Sequence, residues 1–360
     1  MGRTLCRGFQ LHQLFAVTNR GLEEVGAAEL ARIRGVQVTH TAYRRVHANF
    51  TGDARRLLAL RTVDDLFIQL AEWQGIGAHR STLARLEQLA LALDLWQAIA
   101  LRTPIHPLGD VPRFSVSASF VGRRNYSSDE IKEAVAKSVE AISGWRYEED
   151  DRNSDMNLRV FIEHETALVG IRLTATPLHK RSYKQEHVAG SLKPSVAAAL
   201  VFLAQTARRQ VVLDPCCGAG TILIEAAELG ATAIGGDQDP ASIAAAQRNA
   251  TAAGVPLDVQ VWDARKLPLE VASIARVITN LPWGLQVEVD SELAAFYEAV
   301  CAEMERVVQP DGRIVLLTNL PHLVKFPTWT IARQIEISLF GQQPLILILE
   351  APTHGIDERK

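Results

Sequence analysis

From Ser195 onward, short apolar runs alternate with stretches of helical spacing. "SVAAALVFLAQTA" leads into "QVVLD", "TILIEAAELG" into "ATAIGGD", and "PASIAAAQRNATAAG" into "LDVQVWD". "ARVITN", "SELAAFYEAVCAEMERVV" and "GRIVLLT" follow. Apolar runs of this length, bounded by turn residues, suit strands buried on both faces. Strands joined through helices run parallel, because a parallel pair needs a long crossover. The pattern predicts a doubly wound α/β fold over residues 195–360. The last two runs, "TWTIARQIEISLF" and "QPLILILEA", are separated only by "GQQ". A hairpin there puts an antiparallel strand at the end of a seven-stranded sheet.

Ligands in such sheets bind outside the carboxyl ends of the strands. "DPCCGAGT", Asp214 to Thr221, follows the first of these strands. Gly218 and Gly220 let the backbone turn sharply and approach a ligand closely. Leu223 stands where a dinucleotide fingerprint needs its third glycine, and the Gly-Lys-Ser/Thr of a P-loop is missing. Between Gln210 and Gln247 there is no Lys or Arg, but there are Asp214, Glu225, Glu228, Asp237 and Asp239. A phosphate-rich nucleotide would want donors and cations there. The acidic crevice instead suits a ligand with an adenosine and positive charge but no phosphate, which is the make-up of S-adenosylmethionine (SAM). Asp214 would face the ammonium, Asp237 both ribose hydroxyls, and Asp263 the adenine amine, with the Ala264 N–H beside it.

The fourth strand ends in "TNLPWG". An exocyclic amine on a nucleobase is a poor nucleophile, because its lone pair is delocalised into the ring. Two carbonyl acceptors that grip its hydrogens would aim that lone pair at a methyl group. The Asn280 side chain and the Leu281 carbonyl could serve. Pro282 stiffens the corner, and Trp283 offers a face on which an extruded base can stack.

The first half of the chain alternates short strands with helices, as an α+β sandwich does. "STLARLEQLALALDLWQAIALR" reads as one long amphipathic helix with Ser81 at its cap. "SSDEIKEAVAKSVEAI" reads as a second helix, started at Ser128 and Asp129. Residues 1–190 carry 25 Lys and Arg against 22 Asp and Glu, a net +3, although the whole chain has −3. That balance permits an anionic macromolecular partner for the first half only. Residues 177–194, "PLHKRSYKQEHVAGSLKP", read as a linker. Its Lys180, Arg181, Tyr183 and Lys184 could track phosphates with one stacking ring. Arg123 and Arg124 are further candidate RNA contacts.

"DPCCGAGT" followed by "NLPWG" resembles the amino-methyltransferases that carry Asp-Pro-Pro-Tyr or Asn-Pro-Pro-Tyr at this corner. With "PLHKRSYK", "LKPSVAAAL" and the first 175 residues, nearly the whole chain resembles the THUMP-containing RNA guanine-N2 methyltransferases. The resemblance implies a Rossmann-like class I methyltransferase domain at 195–360, preceded by a ferredoxin-like subdomain (1–65), a THUMP domain (66–176) and the linker. It further implies SAM as cofactor and the acceptor end of tRNA as partner, giving N2-methylguanosine. In that family the stretch matching "SLKPS" lies by the cofactor, so Lys193, Pro194 and Ser195 become candidate contacts. Leu281 stands for the usual first proline, Trp283 for tyrosine, and Cys216 where phenylalanine is more usual. Cys216 leaves the glycine turn unaltered, and it joins Thr221 among the expected cofactor contacts.

Other readings stay open: ribosomal RNA or adenine N6 as substrate, a small-molecule or protein methyltransferase, and a non-catalytic RNA-binding protein with a relic domain. Cys216 and Cys217 are adjacent, and no C-x-x-C pair occurs among the four cysteines, so no metal site is expected. Without an apolar run of membrane-spanning length or a signal-peptide pattern, the expectation is a cytoplasmic protein, with a monomer favoured.

Overall fold

The computed structural model describes residues 10–284 and 293–351, so Cys6 lies outside the described residues. The chain divides into two compact units. The first takes the described residues up to Thr18 and Gly26–Leu178; the second takes Asn19–Val25 and the described residues from His179 onward.

In the first unit the strands are β1 (His12–Val17), β2 (Val36–Ala42), β3 (Arg45–Phe50), β4 (Asp65–Gln74), β5 (Arg113–Phe120), β6 (Arg146–Tyr147), β7 (Met156–Glu163) and β8 (Thr166–Arg172). They form one eight-stranded sheet, in the order β2-β3-β1-β4-β8-β7-β5-β6. β4 pairs antiparallel with β1 on one side and β8 on the other. Strand residues alternate between faces. Leu14, Ala16, Val46, Leu66 and Ile68 therefore enter the main hydrophobic core, while Phe15 and Phe67 stack on the opposite face at 5.0 Å.

The helices are α1 (Glu23–Leu30), α2 (Ser81–Ala90), α3 (Trp96–Arg102) and α4 (Ser128–Ser143). The single long helix expected from Ser81 is in fact two. Asp94 Oδ1 accepts from the Trp96 N–H at 3.1 Å, which starts α3 afresh. Ser81 is not a cap: Arg80 precedes α2 in helical conformation and makes no capping bond. α4 is capped one residue earlier than its sequence suggests, by Ser127 in a reciprocal capping box with Glu130.

The second unit contains α5 (Pro194–Leu203), β9 (Val211–Asp214), α6 (Thr221–Glu228), β10 (Thr232–Asp237), α7 (Pro240–Ala253), β11 (Asp258–Val261), β12 (Ile274–Asn280), α8 (Leu293–Val307), β13 (Val308–Thr318), β14 (Thr330–Glu336) and β15 (Leu345–Glu350). Its seven-stranded sheet runs β11-β10-β9-β12-β13-β15-β14. The closing hairpin exists, but its antiparallel strand is not at the end of the sheet. β15 inserts between β13 and β14, antiparallel to both. Burial explains the order. β15 ("LILILE") is mostly buried and needs neighbours on both edges, whereas polar β14 ("TIARQIE") is mostly exposed and tolerates an edge.

Asn19–Val25 completes this unit. Leu22 and Val25 are buried in a cluster with Val196, Leu200, Ile337 and Ile346. The Arg20 carbonyl accepts from the Ser338 N–H at 3.0 Å. The chain order reverses between β9 and β12, so a crevice opens at their carboxyl ends, where Asp214 and Asn280 stand.

Candidate active site

The turn after β9 places Gly218 (φ 50°) and Gly220 (φ 76°) in the left-handed region. A Cβ on Gly220 would meet the Ala246 Cβ at 3.0 Å, so the glycine also lets α7 approach. The Gly218 N–H donates to Asp237 Oδ2 at 3.0 Å, and the Asp239 N–H donates to Oδ1 of the same carboxylate at 3.0 Å. Asp237 thus fastens the glycine turn to the end of β10. Asp239 belongs to α7, whose Ala241 and Ser242 N–H groups it caps. Asp214 is buried and accepts from the Cys216 N–H at 3.2 Å. Burial pushes its carboxyl up to about 7.

β12 delivers the Asn-Leu-Pro-Trp corner. Leu281 is fully buried, and its N–H donates to the Leu317 carbonyl at 3.0 Å. The Tyr297 hydroxyl donates to the Pro282 carbonyl at 3.1 Å and lies 2.7 Å from Thr318 Oγ1. Asn280 Nδ2 donates to the Gly190 carbonyl at 3.3 Å. Its Oδ1 is buried and accepts no hydrogen bond from any described residue; Trp283 Nε1 is likewise buried and undonated.

One cavity joins these parts. Of the residues expected from the sequence, Asp214, Cys216, Gly218, Thr221, Asp237, Ala264, Asn280, Leu281, Pro282 and Trp283 line it. Gly220 stands just behind, at the start of α6.

Other expected residues lie elsewhere. Asp263 is not in the lining; Arg265, two residues on, folds back to hold its carboxylate at 2.8 Å and keeps it below the usual range. Lys193, Pro194 and Ser195 open α5 outside the lining, with Pro194 and Ser195 buried in it; the cavity touches the strap just before, Val188–Leu192.

Nor is Tyr183 an exposed stacking ring. It is buried, and its hydroxyl donates to Glu225 at 2.7 Å. Arg181 lies 3.4 Å from the same carboxylate. The Lys184 ammonium donates to Ser191 Oγ and Thr221 Oγ1, each at 3.0 Å, and to the Leu192 carbonyl, and burial pulls it down to about 8. Arg124 donates to the carbonyls of Ile76 and Gly77 at 3.0 Å and to that of His164. These cations serve the fold. Of the expected RNA contacts, only Arg123 and Lys180 are exposed.

Sequence reasoning placed Ser191 and Leu192 near the cofactor as part of "SLKPS" but missed Val188–Gly190, Tyr297 and Phe340. Phe340 sits in the turn between β14 and β15 with φ 53°, is 49% exposed, and lies 6.2 Å from Trp283. The turn is closed by reciprocal Leu339–Gln342 backbone bonds of 3.0 and 2.9 Å. "FG" in a short hairpin was the available signal, since such turns demand positive φ.

A mostly parallel sheet with one antiparallel strand beside its edge is the fold of a class I methyltransferase. The protein-family comparisons reach further. Residues 181–326 match the RMKL-like methyltransferase domain, and residues 81–172 match the THUMP domain. The chain thus carries a THUMP domain followed by an RMKL-like methyltransferase domain. It is 29% identical over 348 residues to the tRNA (guanine(6)-N2)-methyltransferase of Thermus thermophilus, covering 94% of this chain and 99% of that protein. The crystal structure of TrmN from Thermus thermophilus matches with a TM-score of 0.77 and 26% identity, over 95% of this chain and 100% of that one. The human tRNA (guanine(6)-N(2))-methyltransferase THUMP3 is 28% identical over 226 residues; the match covers 58% of this chain and only 44% of that relative.

Proposed function

We propose that the protein transfers a methyl group from SAM to the exocyclic N2 amine of a guanine in tRNA. The observation that supports this reading is the Asn280–Trp283 corner lining one cavity with Asp214 and Asp237. The relatives' activities support the choice of tRNA and of guanine N2. The residues fit the cofactor: an acid at the end of β10, an acid at the end of β9, and a glycine turn without side chains in the way. SAM, when bound, supplies the activated methyl. Asp237 would accept from the ribose hydroxyls, and Asp214 would face the ammonium. The carbonyls of Asn280 and Leu281 would hold the two amine hydrogens, turning the nitrogen lone pair towards the methyl. An amine held in this way would be placed to take that methyl, and its surplus proton would pass to water. Positioning, not a strong base, does most of the work. We assign residues 1–65 and 66–176 to docking the RNA, with 177–194 as the link to the catalytic domain. Methyl transfer to unmodified tRNA, ribosomal RNA and single-stranded DNA, followed by nucleoside analysis, tests the proposal; label in ribosomal RNA or as N6-methyladenosine would overturn the substrate.

Asp214 makes cofactor binding pH-dependent. Its folded-state pKa near 7 lies above the ordinary carboxylate value, so it is largely protonated at pH 6. A cation beside it favours the ionised form. SAM affinity should therefore rise with pH through about 7, by up to about tenfold per unit on the acid side, and flatten above pH 8. Asp214→Asn should erase the slope in calorimetric titrations.

Phe340→Gly separates stability from activity. Left-handed φ costs a phenylalanine about 1–2 kcal/mol, so the variant should melt no lower than wild type. Losing a second ring beside Trp283 should nevertheless lower kcat/KM for tRNA about tenfold, the scale of one base-stacking contact. A parallel loss of melting temperature would refute that division of roles.

A further inference from the structure

We propose that Gln342, in the turn between β14 and β15, selects the base by donating from its amide nitrogen to guanine O6. The inference rests on the guanine-N2 reading above. An extruded base is recognised through its Watson–Crick edge. On guanine that edge runs from the N2 amine through N1–H to O6. The carbonyls of Asn280 and Leu281 would answer only the amine, and O6 calls for a donor. An adenine seated with its N6 amine in the same grip would place C2–H where guanine has O6. A donor at that point favours guanine, because with adenine it would be left unpaired.

Gln342 stands on the side of the cavity where the base would enter. It lines the cavity together with Phe340 and the Asn280–Trp283 corner, and the Phe340 ring lies 6.2 Å from that of Trp283. β13 joins the same parts. The Leu281 N–H donates to the Leu317 carbonyl at 3.0 Å, and two residues further on Asn319 Nδ2 donates to Gln342 Oε1. The Gln342 backbone is fixed by its two bonds with Leu339. An amide has an acceptor end and a donor end. With Oε1 held by Asn319, the end left over is Nε2. It donates to no described residue and, unlike Trp283 Nε1, is not sealed from solvent. The turn thus offers a ring for the face of a base and a donor for its edge.

Two substitutions isolate that donor. Gln342→Glu keeps the size of the side chain and an oxygen for Asn319 Nδ2, but sets a second oxygen where the N–H groups were. That oxygen would oppose guanine O6. Asn319→Asp leaves Gln342 itself intact. The new carboxylate only accepts, so the Gln342 amide must turn its Nε2 towards it and present Oε1 to the base instead. Asn319 is not part of the cavity lining, so it is a positioning residue that acts through Gln342.

The test uses the full chain with SAM and unmodified tRNA carrying either guanine or 2-aminopurine at the position that the wild type methylates. 2-Aminopurine keeps the N2 amine and lacks O6. With guanine, both variants should lose about 10- to 100-fold in single-turnover kcat/KM, the range for a hydrogen bond replaced by two facing acceptors. With 2-aminopurine, variants and wild type should agree within about threefold, since the group that couples them is gone. Repulsion between a new carboxylate and the RNA phosphates acts on both substrates and cancels in the comparison. SAM affinity within about threefold of wild type marks a folded variant, because neither residue is assigned to the cofactor. In either variant, a deficit of equal size on both bases, or no deficit on guanine, overturns this inference alone. A wild type that transfers no methyl to guanine overturns the guanine-N2 reading and this inference with it.

Discussion

Asn280→Ala should slow methyl transfer by about 100- to 1,000-fold while SAM binds within about threefold of its wild-type affinity, the pattern expected when one preorganised polar group is removed from a reacting centre. Asn280 and Leu281 line the cavity together. Oδ1 of Asn280 is buried and takes no hydrogen bond from a described residue. The Pro282 carbonyl already accepts from Tyr297. Removing the amide leaves the Leu281 carbonyl to hold the amine alone, so the lone pair is no longer aimed. Single-turnover transfer and calorimetry on the same preparation separate the two effects. Wild-type turnover in the variant would remove Asn280 from the chemistry.

Asp237→Ala should act on binding, with a loss of SAM affinity of about 100-fold or more. A hydrogen bond to a charged group contributes about 1.5–3 kcal/mol, and the ribose diol would lose two. The same substitution frees the Gly218 and Asp239 N–H groups, each now held at 3.0 Å, so the glycine turn loses its fastening as well. At saturating SAM, kcat should recover more than kcat/KM. An unchanged dissociation constant would mean that the cofactor lies elsewhere in the crevice.

Much of this was legible in the sequence, and the failures have physical causes. Strand–helix alternation announces the second unit, because each apolar run must be buried on both faces. The place of β15 was not legible from spacing alone; it follows from comparing how apolar the two hairpin strands are. The glycine turn, Asp214, Asp237 and the Asn280 corner are local in sequence and meet at strand ends by topology. Asp263 lies outside the cavity lining because Arg265, two residues on, holds its carboxylate. Tyr183 and Lys184 failed because composition shows charge but not where it points: in a strap packed on α6, a tyrosine and a lysine become anchors. Phe340 and the Gly190 carbonyl belong to segments distant from the motifs, and nothing in their own spacing relates them to Asn280.

The short stretch Asn19–Val25 makes the catalytic unit discontinuous in the gene. Leu22 and Val25 emerge from the ribosome long before α5 and the sheet they help to bury. The growing chain must carry these apolar side chains unsatisfied through synthesis of the whole first unit. Long-range closures of this kind slow folding. A fragment begun at the linker would expose a groove where Leu22 and Val25 belong, and would tend to aggregate. For recombination, the linker is the wrong seam: a chimera that swaps the front half must bring its own matching heptapeptide along.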